Sequence, residues 1–290
     1  MTQPETHGTR TACVLCGHQL FDREVATHVG RPIVGGSIRA CTYCGSAQVV
    51  PMPSPASLAH LYSQQYYEKF ASGPGIAGGN EELSPHLRKR LQDLTMRVGQ
   101  GRIVDVGCAE GIFVAHAQAE GWDAIGLETS DWAADYGRRR FGVRILQTPL
   151  EEAPIAPQSV DVIHANHVLE HLPDPVVTLR AAYRALRPGG LLVAEVPQER
   201  VRPLADAMLE PLRSVHCKLP NYHLVYFSRC GLEIAAKRSG FGAVSITNIR
   251  HEELSRTRTP PLAFARSLVY RVERVLGRAP AYVLVASRPS

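Results

Sequence analysis

The sequence predicts an α/β fold: a Rossmann-like, doubly wound sheet with a small N-terminal zinc ribbon. Three observations predict it. Two Cys-x-x-Cys-Gly knuckles, Cys13–Gly17 and Cys41–Gly45, lie near the start. An apolar strand, Arg102-Ile-Val-Asp-Val106, then runs into Gly107-Cys-Ala-Glu-Gly111 at the mouth of a helix. Downstream, strand-length apolar runs near 102–107, 123–128, 143–147, 160–166 and 190–196 alternate with helical segments, the pattern of a parallel sheet covered on both faces.

Each knuckle holds two sulfurs three residues apart, and its glycine permits the tight turn that follows. Cys13, Cys16, Cys41 and Cys44 together supply the closed four-thiolate set of a structural zinc site, which helps a segment too short to build its own core. Cys108, Cys217 and Cys230 are isolated and read as small buried hydrophobes. Residues 1–50 are the ribbon. Residues 51–100 are a linker and helical lid, opening on Pro51-Met-Pro-Ser-Pro55 and carrying the tyrosines around Tyr66. Residues 101–290 are the Rossmann-like core. In it, 198–222 is patternless and reads as a cap over a substrate, while 251–279 reads as a helical insertion between strands at 242–248 and 281–287.

In such a sheet, ligands lie beyond the carboxyl ends of the strands, which brings Gly107, Glu128, Asn166 and His167 to one edge. Glu128 follows the glycine loop by about 20 residues, the spacing at which a carboxylate meets a ribose. A dinucleotide fingerprint would need glycine where Ala109 stands, and Asp105 would repel a pyrophosphate. A carboxylate there suits a cationic ligand, and S-adenosylmethionine carries an ammonium and a sulfonium but no phosphate.

At these residues the chain resembles the class I S-adenosylmethionine-dependent methyltransferases, over about residues 56–290. The resemblance rests on Asp105-Val-Gly-Cys-Ala-Glu-Gly111, Glu128, Ser159-Val-Asp-Val-Ile163, His167-Val-Leu-Glu-His-Leu-Pro-Asp-Pro175, Arg187-Pro-Gly-Gly190 and His223-Leu-Val-Tyr-Phe-Ser228. It implies a sheet whose last strand is antiparallel. It also implies a cofactor site including Tyr66, Asp105, Gly107, Cys108, Gly111, Glu128, Asn166 and His167. Methyl transfer to an amine or hydroxyl requires loss of a proton, for which His223, His167 and His171 are the candidate bases.

His167-x-x-Glu170-His171 also spells a zinc-protease signature, but Pro173 and Pro175 deny it the continuous helix that signature needs. A divalent ion at Glu170 and His171, orienting a catechol-like acceptor, stays open. The zinc ribbon ahead of such a core is similar to deoxysugar and natural-product methyltransferases and to ribosomal-RNA guanine methyltransferases. The ribbon lacks the basic, aromatic surface RNA would need. A small-molecule acceptor and O- or N-methylation therefore lead. Sugar C-methylation, RNA base methylation and a non-catalytic zinc-ribbon adaptor are the alternatives. The net charge of +5, the absence of a signal pattern and the lack of a long apolar run predict a cytoplasmic protein with no membrane span and no nucleic-acid partner.

Overall fold

The structure is a computed structural model that describes residues 12–18, 21–24, 36–54, 57–58, 82–198, 222–249 and 281–289. The expectations for Tyr66, for Cys217, for the interior of the 198–222 cap and for the 251–279 insertion lie outside those residues.

The large sheet has seven strands: β4 (Arg102–Val106), β5 (Asp123–Leu127), β6 (Ile145–Leu146), β7 (Val160–Asn166), β8 (Leu186–Pro197), β10 (Ala243–Asn248) and β11 (Ala281–Ser287). Their order is β10-β11-β8-β7-β4-β5-β6. Strands β4 to β8 pair in parallel, and β11 runs antiparallel between β8 and β10. The chain leaves β4 toward β6 on one side and returns as β7 on the other. The strand order thus reverses at β4 and β7, which opens a ligand crevice at their carboxyl ends. Between Val160 and Val162 the register with β8 jumps from Leu186 to Leu191, so Arg187–Gly190 bulge out at the start of β8.

Alternation along each strand divides the core into two apolar layers. Ile103, Ala124, Val162 and Val193 face one layer with Leu91 and Leu94 of α1 (Pro85–Val98), Phe113 and Val114 of α2 (Ile112–Ala119) and Ala134 of α3 (Asp131–Phe141). Val104, Ile163, Leu192 and Ala194 face the other with α4 (Pro175–Ala185) and α5 (Arg229–Arg238). Among the described residues, no helix is long and apolar enough to cross a membrane.

The knuckles belong to a second sheet, ordered β1 (Phe21–Glu24), β2 (Ser37–Cys41), β3 (Ala47–Val50) and β9 (Val225–Tyr226). Its fourth strand comes from far along the chain, with Ala47 opposite Tyr226 and Gln48 opposite Val225. Ser228 caps α5 by accepting from the Gly231 amide at 2.9 Å, and the same hydroxyl donates to the Cys44 carbonyl. Arg238 near the other end of α5 donates to the Leu15 carbonyl at 2.7 Å. Both knuckles are thereby fastened to one core helix.

Candidate functional site

The edge of β4 and β5 is shaped by backbone. Three residues in alternation, Gly107 (φ +63°), Ala109 (φ +49°) and Gly111 (φ +77°), take left-handed conformations. Gly111 is the N-cap of α2. A Cβ on Gly107 would lie 2.6 Å from the Val168 side chain, so only glycine lets the loop pass β7. Ala109 holds such a φ without being glycine, a strain of the kind that collects at functional sites. Glu128, at the end of β5, is buried and its carboxylate is held by main chain. Ala109 N–H donates to Oε2 at 3.0 Å and Ser130 N–H to Oε1 at 2.8 Å. A carboxylate offers about four lone-pair directions, enough to accept from main-chain amides and from a hydroxyl of a diol. Cys108 is buried, and burial, reinforced by Asp105 and Glu128, pushes its thiol well up. It lines the edge as a neutral thiol, whereas Cys230, expected to be buried, is exposed at the start of α5.

Asp105 is also buried and bonds His164 Nδ1 at 2.7 Å. The other nitrogen of His164 lies 3.3 Å from Arg90 Nη1, which can only donate. His164 is therefore the neutral tautomer with its proton toward Asp105, and its ring stacks on Phe113 at 4.0 Å between centroids.

The edge of β7 and β8 is shaped by charged side chains. Arg90 of α1 donates to Asn166 Oδ1 at 3.3 Å and pairs with Glu195. Glu195 is fully buried. Burial pushes its carboxyl up, but His167 and Arg90 together prevail and hold it down at about 2. His167 has a left-handed φ of +54°, and its backbone N–H donates to the Glu195 carbonyl at 3.0 Å. Its ring sits between two carboxylates, Nδ1 3.1 Å from Glu170 and Nε2 3.3 Å from Glu195. Burial opposes a charge on this ring, yet the two acids raise its pKa to about 10. Its side chain still keeps 44% exposure.

Glu170 and His171 lie on a 3-10 turn, Leu169–His171, closed off by Pro173 and Pro175 rather than continued as a helix. Glu170 is fully buried and its carboxyl is held below the usual value: burial raises it, but the charge-assisted hydrogen bond from His167 leads the effects that bring it down. His171 Nδ1 faces the Tyr222 carbonyl at 3.3 Å, and burial drops its pKa to about 4. His223 meets His171 edge-on at 4.8 Å between centroids, and the following amide, Leu224 N–H, donates to the Glu170 carbonyl at 2.8 Å.

The structure thus brings His167, His171 and His223 into one cluster, one strand over from the Gly107–Glu128 edge. Arg90, His164 and Glu195 were not singled out in the sequence. Glu195 carries a signal, as the one charged residue in the apolar run Leu191–Pro197, whereas Arg90 on α1 and His164 in the mixed strand Val160–Asn166 carry none.

With this geometry in place, comparison with known proteins decides the family. Residues 83–246 match the family model described as a methyltransferase domain. The chain belongs to that family. Members are S-adenosylmethionine-dependent class I methyltransferases, and the sheet with its antiparallel β11 is theirs. The ubiquinone biosynthesis O-methyltransferase of Saccharophagus degradans is 32% identical over 115 residues, covering 38% of this chain and 48% of that protein. The chain spans about half the length of the curated relatives it matches. Among solved structures, the Haemonchus contortus phosphoethanolamine N-methyltransferase 2 bound to S-adenosylmethionine superposes with a TM-score of 0.52 at 17% identity, over 79% of this chain and 59% of that one. A chain from the complex of a Haloferax volcanii methyltransferase with its activator gives 0.53 at 16% identity, over 77% and 98%. These two likenesses concern the fold.

Proposed function

We propose that the chain transfers a methyl group from S-adenosylmethionine to an oxygen or nitrogen of a small molecule. The observation that supports this best is the adjacency of two unlike edges. One is a backbone loop with a pinned carboxylate, fit for a ribose. The other is a cluster of histidines and buried acids, fit for an acceptor that must lose a proton. Bound at the first edge, the cofactor supplies an electrophilic methyl: the C–S bond breaks as a C–O or C–N bond forms, and the sulfonium becomes a neutral thioether.

The protein's part is positioning and charge. Glu128 holds a diol, Gly107 and Gly111 let the loop approach closely, and Asp105 places negative charge near a cationic ligand. Cys108, Asn166 and His167 border the same space, and Tyr66 completes the set expected from the sequence. Of the three candidate bases, His167 faces an acid with each ring nitrogen and is suited to hold its protons. His171 and His223 remain as the place where the acceptor is deprotonated.

The four cysteines fit a structural zinc. Cys13 and Cys44 sulfurs are 3.7 Å apart, and Cys16 and Cys41 are 3.6 Å apart. A tetrahedron with Zn–S of about 2.3 Å spaces its sulfurs by about 3.8 Å. Gly17 and Gly45 donate their amides back to the Cys13 and Cys41 carbonyls at 2.8 and 2.9 Å, so the two knuckles are alike. Metal analysis should find one zinc held by these cysteines, and protein fully folded without it would remove the assignment. The reaction is tested by incubating the protein with labelled S-adenosylmethionine and small-molecule extracts, then locating the methyl by mass spectrometry. Methyl on oxygen or nitrogen supports the proposal. Methyl on carbon or on RNA, or cofactor binding with no product on any acceptor, would replace it with one of the three alternatives.

A further inference from the structure

Glu170 is buried to the point of zero exposure, and among the described residues its Oε2 has no hydrogen-bond partner. His167 satisfies only Oε1. An ionised carboxylate taken out of water loses several kcal/mol of solvation, so a bare oxygen on one asks what meets it.

Three ligand-bearing side chains converge there. One atom each from Glu170, His171 and His223 lie within 4.8 Å of one another. The orientation of His171 is informative. Its Nδ1 faces the Tyr222 carbonyl, an acceptor, so Nδ1 carries the proton and Nε2 presents a lone pair. That lone pair lies 3.9 Å from Glu170 Oε1. A lone pair beside a carboxylate oxygen is repulsive, and a cation near both turns the repulsion into attraction. A histidine whose far N–H is fixed by a backbone carbonyl is also the usual arrangement behind a metal-ligating imidazole. The segment carrying His223 is locked to the one carrying Glu170 by the Leu224–Glu170 backbone bond, so the three groups are held in place before any ligand arrives.

We propose that Glu170, His171 and His223 bind one divalent transition-metal cation at the acceptor end of the site. Two imidazoles and one carboxylate suit zinc, manganese or iron(II), and three protein ligands leave positions open. This is the opposite of the four-cysteine site, which is closed and all sulfur. On the methyl-transfer reading, the open positions take an acceptor that offers two neighbouring oxygens, such as a vicinal diol or a hydroxy acid. The cation lowers the pKa of the coordinated hydroxyl, whose proton leaves to solvent, and the alkoxide is the nucleophile. Ligated histidines are then holders of the cation rather than proton acceptors.

The test titrates Mn²⁺ into the full chain, dialysed against a weak chelator that leaves the ribbon zinc in place, and reads loss of the free-ion EPR signal. Mn²⁺ is a hard ion and a poor match for thiolates, so it reports the histidine and carboxylate site. One equivalent should bind. Glu170→Gln and His223→Ala should each weaken it by about tenfold or more, at least the range seen for lesser changes around a metal. Binding of S-adenosylhomocysteine, followed in parallel, shows that the variants are folded. If Glu170→Gln fails to fold, His223→Ala decides alone. No Mn²⁺ binding by the parent chain, or equal binding in the variants, overturns the cation site. Mn²⁺ binding that depends on these residues, in a chain that ignores S-adenosylhomocysteine, keeps the cation site and removes the methyl-transfer reading.

Discussion

The two halves of the ligand-facing edge are made of different materials. At β4 and β5 the chain places backbone: left-handed residues at 107, 109 and 111, and two amides that pin Glu128. At β7 and β8 it places buried charge: Arg90, Glu195, His167 and Glu170 in contact from one to the next. The first half is local, drawn from residues 105–130. The second gathers α1, two strands, a 3-10 turn and the stretch around His223. A backbone-built edge keeps its course when one side chain changes and loses only the neutral hydrogen bonds that side chain made. A charge-built edge strands the partners of whatever is removed, because a buried ion without its counterpart is costly.

That contrast can be broken by three substitutions. Glu195→Gln should have the largest effect, about 3–5 kcal/mol of folding stability at neutral pH, since it leaves Arg90 and His167 without their shared acid. The sign with pH follows from its carboxyl, held at about 2 against an ordinary 4.5. The stabilisation is complete above the ordinary value and is lost as pH falls toward the folded one. Denaturant titrations should therefore show the gap between parent and variant closing on acidification. A gap that is absent at neutral pH, or constant down to acid, would mean the second half is no more charge-dependent than the first.

Glu128→Ala should cost less and act elsewhere. Titration calorimetry should show S-adenosylhomocysteine binding weakened by about 1–3 kcal/mol, with a smaller loss of stability than in Glu195→Gln, since only the neutral Ala109 and Ser130 amides lose their acceptor. Unchanged affinity would detach Glu128 from the ribose. Gly107→Ala should cost about 1–2 kcal/mol of stability from the left-handed φ alone, and the shift of Val168 needed to admit the new Cβ adds to it. Because Val168 sits between His167 and Glu170, this substitution sharpens the comparison: a change in Mn²⁺ binding as well as stability would show that the two halves are mechanically joined.

The same contrast explains what could be read from the sequence. The strands at 160–166 and 281–287 have the bounds their apolar runs suggest, and the glycine loop with Glu128 was legible because strand, turn and carboxylate lie within 26 residues of one another, Ile103 to Glu128. The Glu170-His171 turn was legible as a motif, and its prolines revealed that it is not a helix. Arg90 and Glu195 were not legible as a pair, because nothing in a linear pattern relates residues 105 positions apart. The start of β8 at Leu186, earlier than the apolar run near 190, was hidden by Arg187–Gly190, which interrupt the apolar pattern and bulge from a continuing strand. Strand β9 was missed because it pairs with β3, far upstream, outside the strand–helix alternation that announced the strands of the large sheet.

That short strand has a consequence for how the protein is made. The knuckle sheet is finished by Val225–Tyr226, whose partners Gln48 and Ala47 leave the ribosome some 180 residues earlier. During synthesis the outer edge of β3 stays an unpaired row of amides and carbonyls until the distal strand emerges. The knuckle module is thus made well before the strand that completes it. A chain stopped short of residue 225 would leave the ribosome with that edge bare and prone to pair with another copy.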